Sequence, residues 1–367
     1  DSRHPGYLSG MTDWNKWRLT YEGGDNFRDS YLERFSTRED QEDYGVRKAI
    51  TPVPAFAKAA INDIRNAIYQ RLRDVVRKGG SEVYQAAVNG SNLGVDHRGS
   101  TMNAFLGVKV LTELLVMGRV GVFVDHPLIP VGATLANVSR PAPYLYKYDI
   151  EDILSWTCSK PEAPSEFQAI LLRDTVMQYD QSTMLPSLSV ERYRYMWINP
   201  KTGKVNLQFY NVKKEEVDGA GLPGGPMQLE LDRIPFVLLD IGGSLIRDVC
   251  QQQIALLNLG SSDVNYALRS NFPFYIEQKD MRATGAHLKH AATEDGTSTS
   301  GGQGAADTSI KVGATHGRTY DKGMNPPAFI NPSAEPLRAS LELQDRLKRD
   351  IRELVNLAVS SLAVRVS

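Results

Sequence analysis

The architecture follows from two stretches: residues 244–269, SLIRDVCQQQIALLNLGSSDVNYALR, and a second apolar-periodic run over residues 337–362. In the first stretch apolar or small side chains recur at steps of three and four, which places them on one helical face. The hydroxyl of Ser244 is able to cap a helix, so we expect the helix to begin there and to end near Arg269, before Pro273. The members of the face are Ile246, Cys250, Ile254, Leu257, Ser261, Val264 and Leu268.

A second and longer helix is predicted after Ser333, with Pro336 in its first turn. Its span of about 28 residues corresponds to a rod of roughly 40 Å. Its apolar stripe consists of Leu337, Leu341, Leu347, Ile351, Leu354, Ala358 and Leu362, and further apolar residues off the stripe are Leu343, Val355, Leu357 and Val359. Because apolar residues occur on more than one side, this helix needs more neighbours than one partner helix. We expect the two helices to form a stalk.

Composition narrows the class of protein. The chain has 367 residues, 41% of them hydrophobic, which suffices for a sizeable core in two or three domains. A formal charge of −1 provides no global basic field for nucleic acid or anionic lipid. The two cysteines, Cys158 and Cys250, argue against a disulfide scaffold and favour a reducing compartment. No apolar run reaches the ~18 residues of a membrane span.

The remainder of the chain predicts an α+β body, with helices first and an antiparallel sheet after them. Helices are expected over residues 55–77, ending at Gly79-Gly80, and over residues 101–117. Phe27, Tyr31 and Phe35 recur at helical spacing after a turn at residues 22–25. Strands are predicted at residues 120–124, 142–148, 167–178, 189–198, 205–212 and 228–231, with a hairpin turn at residues 199–203.

The segment between the two long helices has an unusual composition. Residues 293–307 contain no large apolar side chain, so we expect this stretch to be mobile or to be held by a neighbour. Its glycines do not form a phosphate-binding loop, because no lysine follows them in the required pattern. The sequence therefore indicates a loop tip rather than a nucleotide site.

Two patterns leave chemical alternatives open. His287 and His290 have the spacing of a shared metal site, but no third ligand of convincing spacing stands near them. Asp125 and His126 lie at a strand end, where catalytic groups often occur, although Pro127 follows at once. A metal- or acid/base-dependent enzyme would use these residues.

The second long helix carries nearly balanced charge. Its cations are Arg338, Arg346, Lys348, Arg349 and Arg352, and its anions are Glu342, Asp345, Asp350 and Glu353. Such a pattern is typical of a solvated, salt-bridged helix. It is also compatible with a surface that meets a DNA backbone without gripping it. The sequence of one chain does not decide between these interpretations.

The order of these features resembles the portal proteins of tailed bacteriophages, which form the head-to-tail connector ring. The similarity extends from about Tyr21 to Ala363. The matching pieces, in order, are residues 21–24 (YEGG), 31–32 (YL), 118–127 (GRVGVFVDHP), 140–144 (RPAPY), 153–156 (ILSW), 233–237 (RIPFV), 257–259 (LNL), 262–263 (SD), Pro273, 310–313 (IKVG) and 337–362. Each piece alone is weak, and their order over most of the chain carries the resemblance.

The resemblance implies a portal-like α+β fold and a ring of about twelve chains around a channel. Residues 1–243 would form the wing, helical over 1–118 and rich in antiparallel β-structure over 119–243. Residues 244–272 would be the first stem helix, 273–332 the clip, and 333–367 the second stem helix up to the start of the tunnel loop. The tunnel loop and helical crown of the family would follow that helix and are expected to lie outside this sequence.

The resemblance also implies a function, a place and partners. The expected function is that of a structural ring at one capsid vertex of the virion, assembled in the host cytoplasm, and not of an enzyme; no cofactor is expected. The expected partners are copies of the chain, the terminase motor, the major capsid protein, head–tail adaptor proteins and passing duplex DNA, and no membrane. Candidate DNA-channel residues are Arg338, Arg346, Arg349 and Arg352, and candidate clip docking residues are His287, Lys289, His290, Glu294, Asp295 and Asp307. An oligomeric adaptor that never contacts DNA is the main rival.

Overall fold

The computed structural model describes residues 3–72, 78–89, 93–126, 143–160, 166–179, 182–183, 185–219, 223–271, 274–276, 325–326, 328–330 and 333–366. Over these residues the protein is a mixed α+β structure in which every paired strand is antiparallel. This confirms the predicted class.

Helices dominate the N-terminal part. They are α1 (Pro5–Glu22), α2 (Gly24–Tyr31), α3 (Gln41–Ile50), α4 (Phe56–Arg71), α5 (Glu82–Asn89) and α6 (Met102–Ala104), which continues through a π-helical segment (Phe105–Val110) into α7 (Leu111–Met117). Gly23 separates α1 from α2 at φ 68°, which confirms the predicted turn. The predicted end of α4 at Gly79 is wrong, because Leu72 is already extended. Phe35 lies outside α2, so its predicted helical spacing with Phe27 is wrong too.

The strands form two main sheets. A three-stranded sheet has the order β2 (Tyr144–Tyr148), β1 (Arg119–Asp125), β9 (Phe236–Asp240). A larger sheet runs β3 (Ile153–Cys158), β4 (Phe167–Tyr179), β5 (Pro186–Ile198), β6 (Val205–Asn211), β7 (Glu216–Val217), with β8 (Met227–Gln228) also on β6. A 3₁₀ turn, Ile150–Asp152, links β2 to β3. The last predicted strand is shorter than expected, ending at Gln228 instead of Leu231.

Strands β4 and β5 extend beyond their neighbours. β3 pairs with β4 only as far as Leu172, and β6 pairs with β5 only from Arg192 onward. Past those points β4 and β5 pair with each other alone, through residues 175–179 and 186–191. We call this two-stranded extension the arm.

Two long helices follow the sheets: α8 (Cys250–Ser270) and α9 (Glu335–Val366), with β10 (Phe274–Ile276) paired to β11 (Ala328–Ile330) between them. The helices are antiparallel, because the Tyr266 hydroxyl donates to the Ser333 carbonyl while Asp263 accepts from Ser340 (2.8 Å) and Gln344 (2.6 Å) further along α9. The start of α9 is as predicted. Within the described residues, no helix has the length and apolar character that crossing a bilayer requires.

The predicted start of the first long helix at Ser244 is wrong. The Ser244 hydroxyl donates to the Val116 carbonyl at the end of α7 and accepts from the Ile246 amide at 3.0 Å. These contacts hold a turn that joins α7 to the chain before α8, and the helix begins at Cys250. Ser244 thus ties two segments together instead of capping a helix.

One core joins the body to the long helices. It contains Trp14 of α1, Ile61 of α4 and Leu172 of β4, and it also contains Ile351 and Val355 of α9. Both α9 residues are fully buried. The core therefore continues across residue 243, where the sequence suggested the end of the wing.

The inward face of α9 differs from the predicted stripe. Leu341, which was placed on the stripe, is 48% exposed, whereas Val355, which was placed off it, is 0% exposed. Polar Ser340 and Gln344 take up inward positions because Asp263 of α8 binds both of them. Spacing alone misassigned these positions because a polar contact fixes the rotation of the helix.

Candidate functional site

The four arginines predicted to face DNA lie together on α9. Arg338, Arg346, Arg349 and Arg352 are all exposed. At about 100° per residue they fall within roughly a third of the helix circumference, opposite the buried face. We call this surface the arginine face. Its members come together because their spacing follows the helical repeat.

Acidic residues interrupt the arginine face. Arg346 Nε lies 3.9 Å from the Asp350 carboxylate, and the Arg349 Nε donates to the Asp345 backbone carbonyl at 3.4 Å. The hydrogen bond from Lys348 Nζ to Asp345 (2.8 Å) lowers the pKa of that carboxyl group. In the described part of the chain, Arg338 and Arg352 have no ion-pair partner within 4.0 Å. The face therefore combines two unpaired cations with locally compensated charge.

Packing of α9 decides which side faces outward. Leu347, Ile351 and Val355 pack against the core, and Lys348 Nζ lies 5.6 Å from the ring centroid of Phe56 on α4. Together with the Asp263 contacts, this packing fixes α9 on two helices, α8 and α4. The arginine face consequently points away from both.

A buried arginine holds the other long helix in place. Arg47 of α3 is 1% exposed; its Nη1 donates to the Ser261 hydroxyl of α8 at 2.8 Å, and its Nε donates to Glu39 at 2.7 Å. The hydrogen bond from Arg47 lowers the pKa of Glu39. The guanidinium also stacks on Phe35, 3.8 Å from the ring centroid. Arg47 thereby attaches α8 to residues 33–47.

Sequence reasoning did not identify Arg47 as important. One signal was available: Ser261 sits on an otherwise apolar helix face, and a hydroxyl there requires a buried polar partner. The identity of that partner depends on a contact between residues 214 positions apart, which periodicity does not reveal.

An apolar groove runs beside the helix pair. It has a volume of ≈ 550 Å³ and is lined by Phe35, Ala255, Asn258, Leu259, Ser262, Leu343 and Leu347. Leu343 is 45% exposed and Leu357, on the same flank of α9, is 66% exposed. The helix pair thus presents apolar surface next to the arginine face.

A second buried charge cluster lies in the body. Arg18 of α1 donates to both carboxylate oxygens of Glu113 on α7 and to Glu151 (2.9 and 2.8 Å). Lys147 of β2 also contacts Glu113, at 3.2 Å, and Asp149. Burial raises the pKa of Glu113 against the opposing effect of Arg18. This cluster, which the sequence did not indicate, joins α1, α7 and β2.

The residues considered for catalysis have structural partners. Asp125 accepts from Arg194 Nη1 at 3.0 Å, and Arg194 also binds Asp174 at 3.1 Å. Within the described ranges, no three His, Cys, Asp or Glu residues are grouped as a metal site would require. Burial raises the pKa of the Cys250 thiol, which donates to the Ile246 carbonyl.

The predicted clip residues lie outside the described residues. They are His287, Lys289, His290, Glu294, Asp295 and Asp307. The paired strands β10 and β11 lie on either side of this segment in the sequence. Comparison with models of known protein families and with characterised proteins finds no match for this chain.

Proposed function

We propose that this chain is the subunit of a portal-like ring that forms a conduit for duplex DNA at one capsid vertex. In this proposal the ring is structural and not an enzyme. Its channel serves packaging and ejection of DNA, and its clip, including His287, His290 and Asp307, docks the packaging motor and the neck proteins.

The observation that carries the proposal is the division of α9 into opposed faces. One face is anchored in the core through Ile351 and Val355, and the opposite face presents four arginines to solvent. Exposed Leu343 and Leu357 lie on its flank. An anchored helix with apolar flanks and a charged outer face suits a ring, in which copies cover the flanks and leave one face toward an axis.

The charge pattern suits passage of DNA better than retention. Each phosphate neutralised by a cation adds salt-dependent affinity, so a uniformly basic channel would hold DNA in place. On α9 the carboxylates of Asp345 and Asp350 contact neighbouring cations. Sequence-independent contact with low affinity is the expected result.

The assembly test is sedimentation velocity combined with negative-stain imaging of the full chain. The expected particle is a closed ring of about twelve copies, several hundred kilodaltons in mass, with a visible central hole. A monomer or dimer at all concentrations would overturn the proposal.

A second test addresses DNA. Replacement of Arg338, Arg346, Arg349 and Arg352 by alanine should reduce the salt dependence of binding to a random duplex of ~30 base pairs. The matched control replaces four exposed cations of the body, Arg38, Lys160, Lys201 and Lys213, by alanine. Equal effects of both variants would contradict a DNA-facing arginine face.

An oligomeric adaptor without DNA contact is the remaining alternative. It shares the helix pair and its apolar flanks, so assembly alone does not separate the two functions. A ring whose salt-dependent DNA affinity is unchanged by loss of the arginine face would favour the adaptor.

A further inference from the structure

The arm formed by β4 and β5 carries apolar side chains that are exposed in the part of the chain that the structure describes. Leu188 is 59% exposed, Leu185 is 65% exposed and Met177 is 48% exposed. Residues 175–191 contain two charged side chains, Asp180 and Glu191, and both are acidic. A solvated two-stranded ribbon of this kind is at best marginally stable by itself and normally carries polar residues. The arm therefore has the composition of a contact surface.

The register shows that the arm prolongs the core-facing side of the sheet. Val176 lies opposite Val190, in the same alternation as Leu172 opposite Arg194 and Ile170 opposite Met196. Leu188 continues this side further out. Ile170, Leu172 and Met196 are buried, whereas Leu188 is exposed. On this side the ion pair of Asp174 and Arg192 separates the buried core from the apolar arm residues Val176, Val190 and Leu188.

The same sheet holds an open cleft on its other side. The cleft has a volume of ≈ 450 Å³. Its apolar and aromatic lining includes Leu171, Tyr193, Tyr195, Tyr210 and Val212. Val212 is 55% exposed and the three tyrosines are half-buried. Partly desolvated tyrosines around a pocket are typical of the centre of a protein interface.

The arm does not reach the cleft of its own chain. Leu188 precedes Tyr195 by seven positions on the same strand, which separates them by about 24 Å along a continuous ladder. The side chain of Leu188 also belongs to the opposite side of the sheet. A contact between arm and cleft therefore requires two chains.

We propose that the arm of one copy of this chain docks in the cleft of the next copy. The chemistry of the two surfaces is complementary: an apolar ribbon whose charged residues, Asp180 and Glu191, are both acidic meets an aromatic cleft whose charged lining residues, Arg3 and Lys214, are both basic. Because arm and cleft are different surfaces, the contact is head-to-tail, and it generates a ring when the rotation closes. The inference deepens the proposed function and rests on it for closure of the ring.

Cross-linking tests the contact directly. In a Cys158→Ser background, the double variant Leu188→Cys/Val212→Cys is treated with a short bis-maleimide and analysed on a denaturing gel. The expected product is a ladder of covalent oligomers, at least tenfold stronger than for the control Leu188→Cys/Val46→Cys, which pairs the arm with an exposed position outside the cleft. Each single variant should remain monomeric, and the two single variants co-expressed should give dimers only. Dimers from Leu188→Cys alone would overturn the head-to-tail contact.

A charge substitution gives a second readout. Leu188→Asp should lower the assembled fraction in sedimentation at least tenfold, while Val46→Asp should behave as the wild type; circular dichroism checks that both variants fold. Wild-type assembly of Leu188→Asp would overturn the contact.

The outcomes separate this contact from the proposed ring. If the wild type forms a closed ring but the double-cysteine variant gives no cross-link, the contact between arm and cleft is refuted and the proposed ring is not. Cross-linked assemblies that do not close would support the contact between arm and cleft and refute the proposed ring. A wild-type monomer at all concentrations refutes both.

Discussion

The arginines of the body and those of the outer face of α9 are used in different ways. Arg47 and Arg18 each bind carboxylates and tie separate elements together. Arg338 and Arg349 are exposed and make at most local contacts along their own helix. A buried guanidinium without partners is costly, whereas an exposed one costs little. Loss of an arginine should therefore affect folding in the body and intermolecular contact on α9.

The largest effect is expected from Arg47→Ala. The substitution removes the ion pair with Glu39, one of the two hydrogen bonds of the Ser261 hydroxyl and the stacking on Phe35. The free energy of unfolding should fall by about 4 kcal/mol, as for other broken buried ion pairs. Urea unfolding measures this change. The neighbouring exposed Arg34→Ala should alter stability by less than about 0.5 kcal/mol, and equal losses from both variants would contradict the comparison.

A smaller loss in the free energy of unfolding is expected from Glu113→Ala in the body. The guanidinium of Arg18 keeps Glu151 as a partner, so the destabilisation should be about 3 kcal/mol. The control is Glu342→Ala on the outer side of α9, for which less than about 0.5 kcal/mol is expected. The prediction fails if the two glutamates prove equivalent in urea melts.

The free energy of unfolding should depend on pH through the carboxyl group of Asp96. Burial opposes ionisation of its carboxyl group, but hydrogen bonds from Lys109, Ser100 and the Arg98 amide outweigh burial and hold its pKa well below its ordinary value. A depressed folded-state pKa stabilises the protein above the unfolded-state pKa, 3.8, and this contribution is lost as the pH falls through the folded-state value.

Unfolding at pH 7 and at successively lower pH measures this contribution. Between neutral pH and pH ~2, the free energy of unfolding of the wild type should fall by about 1–2 kcal/mol more than that of Asp96→Asn. The exposed Asp25→Asn provides the control and should keep the wild-type slope. If the free energy of unfolding of Asp96→Asn changes with pH as steeply as that of the wild type, the lowered pKa of Asp96 is contradicted.

The smallest effect on stability is expected from Arg349→Ala. Its side chain is exposed and donates only to a backbone carbonyl of its own helix. The free energy of unfolding, measured by heat or urea, should change by less than about 0.5 kcal/mol. A loss comparable to that of Arg47→Ala would mean that the arginine face has a structural role within one chain.

The sequence predicted the elements that depend on local chemistry. Ser333 and Pro336 marked the start of α9, and the paired glycines at Gly23 marked the break between α1 and α2. The strand predicted at residues 189–198 lies within β5, a strand of an antiparallel sheet. These features depend on side chains within a few residues of each other.

Features that depend on distant contacts were missed or misplaced. Ser244 was expected to cap a helix, but the Val116 carbonyl, 128 positions away, binds it. Leu341 was expected to be buried, but Asp263 of α8 fixes the rotation of α9 so that this leucine is exposed. The four arginines of α9 share one face because helical spacing alone brings them together, and contact of this face with DNA stays a prediction. Arg47 was missed because its partners are brought together only by the tertiary fold.

The shared core has a mechanical consequence. Ile351 and Val355 of α9 pack in one cluster with α4 and the large sheet, and a close-packed interior resists compression and transmits strain. Any load along α9, such as drag from a molecule moving past its outer face, is therefore borne by the whole body. Rotation of the long helices about residue 243 would have to break this packing. We therefore expect the long helices and the body to move as one rigid unit.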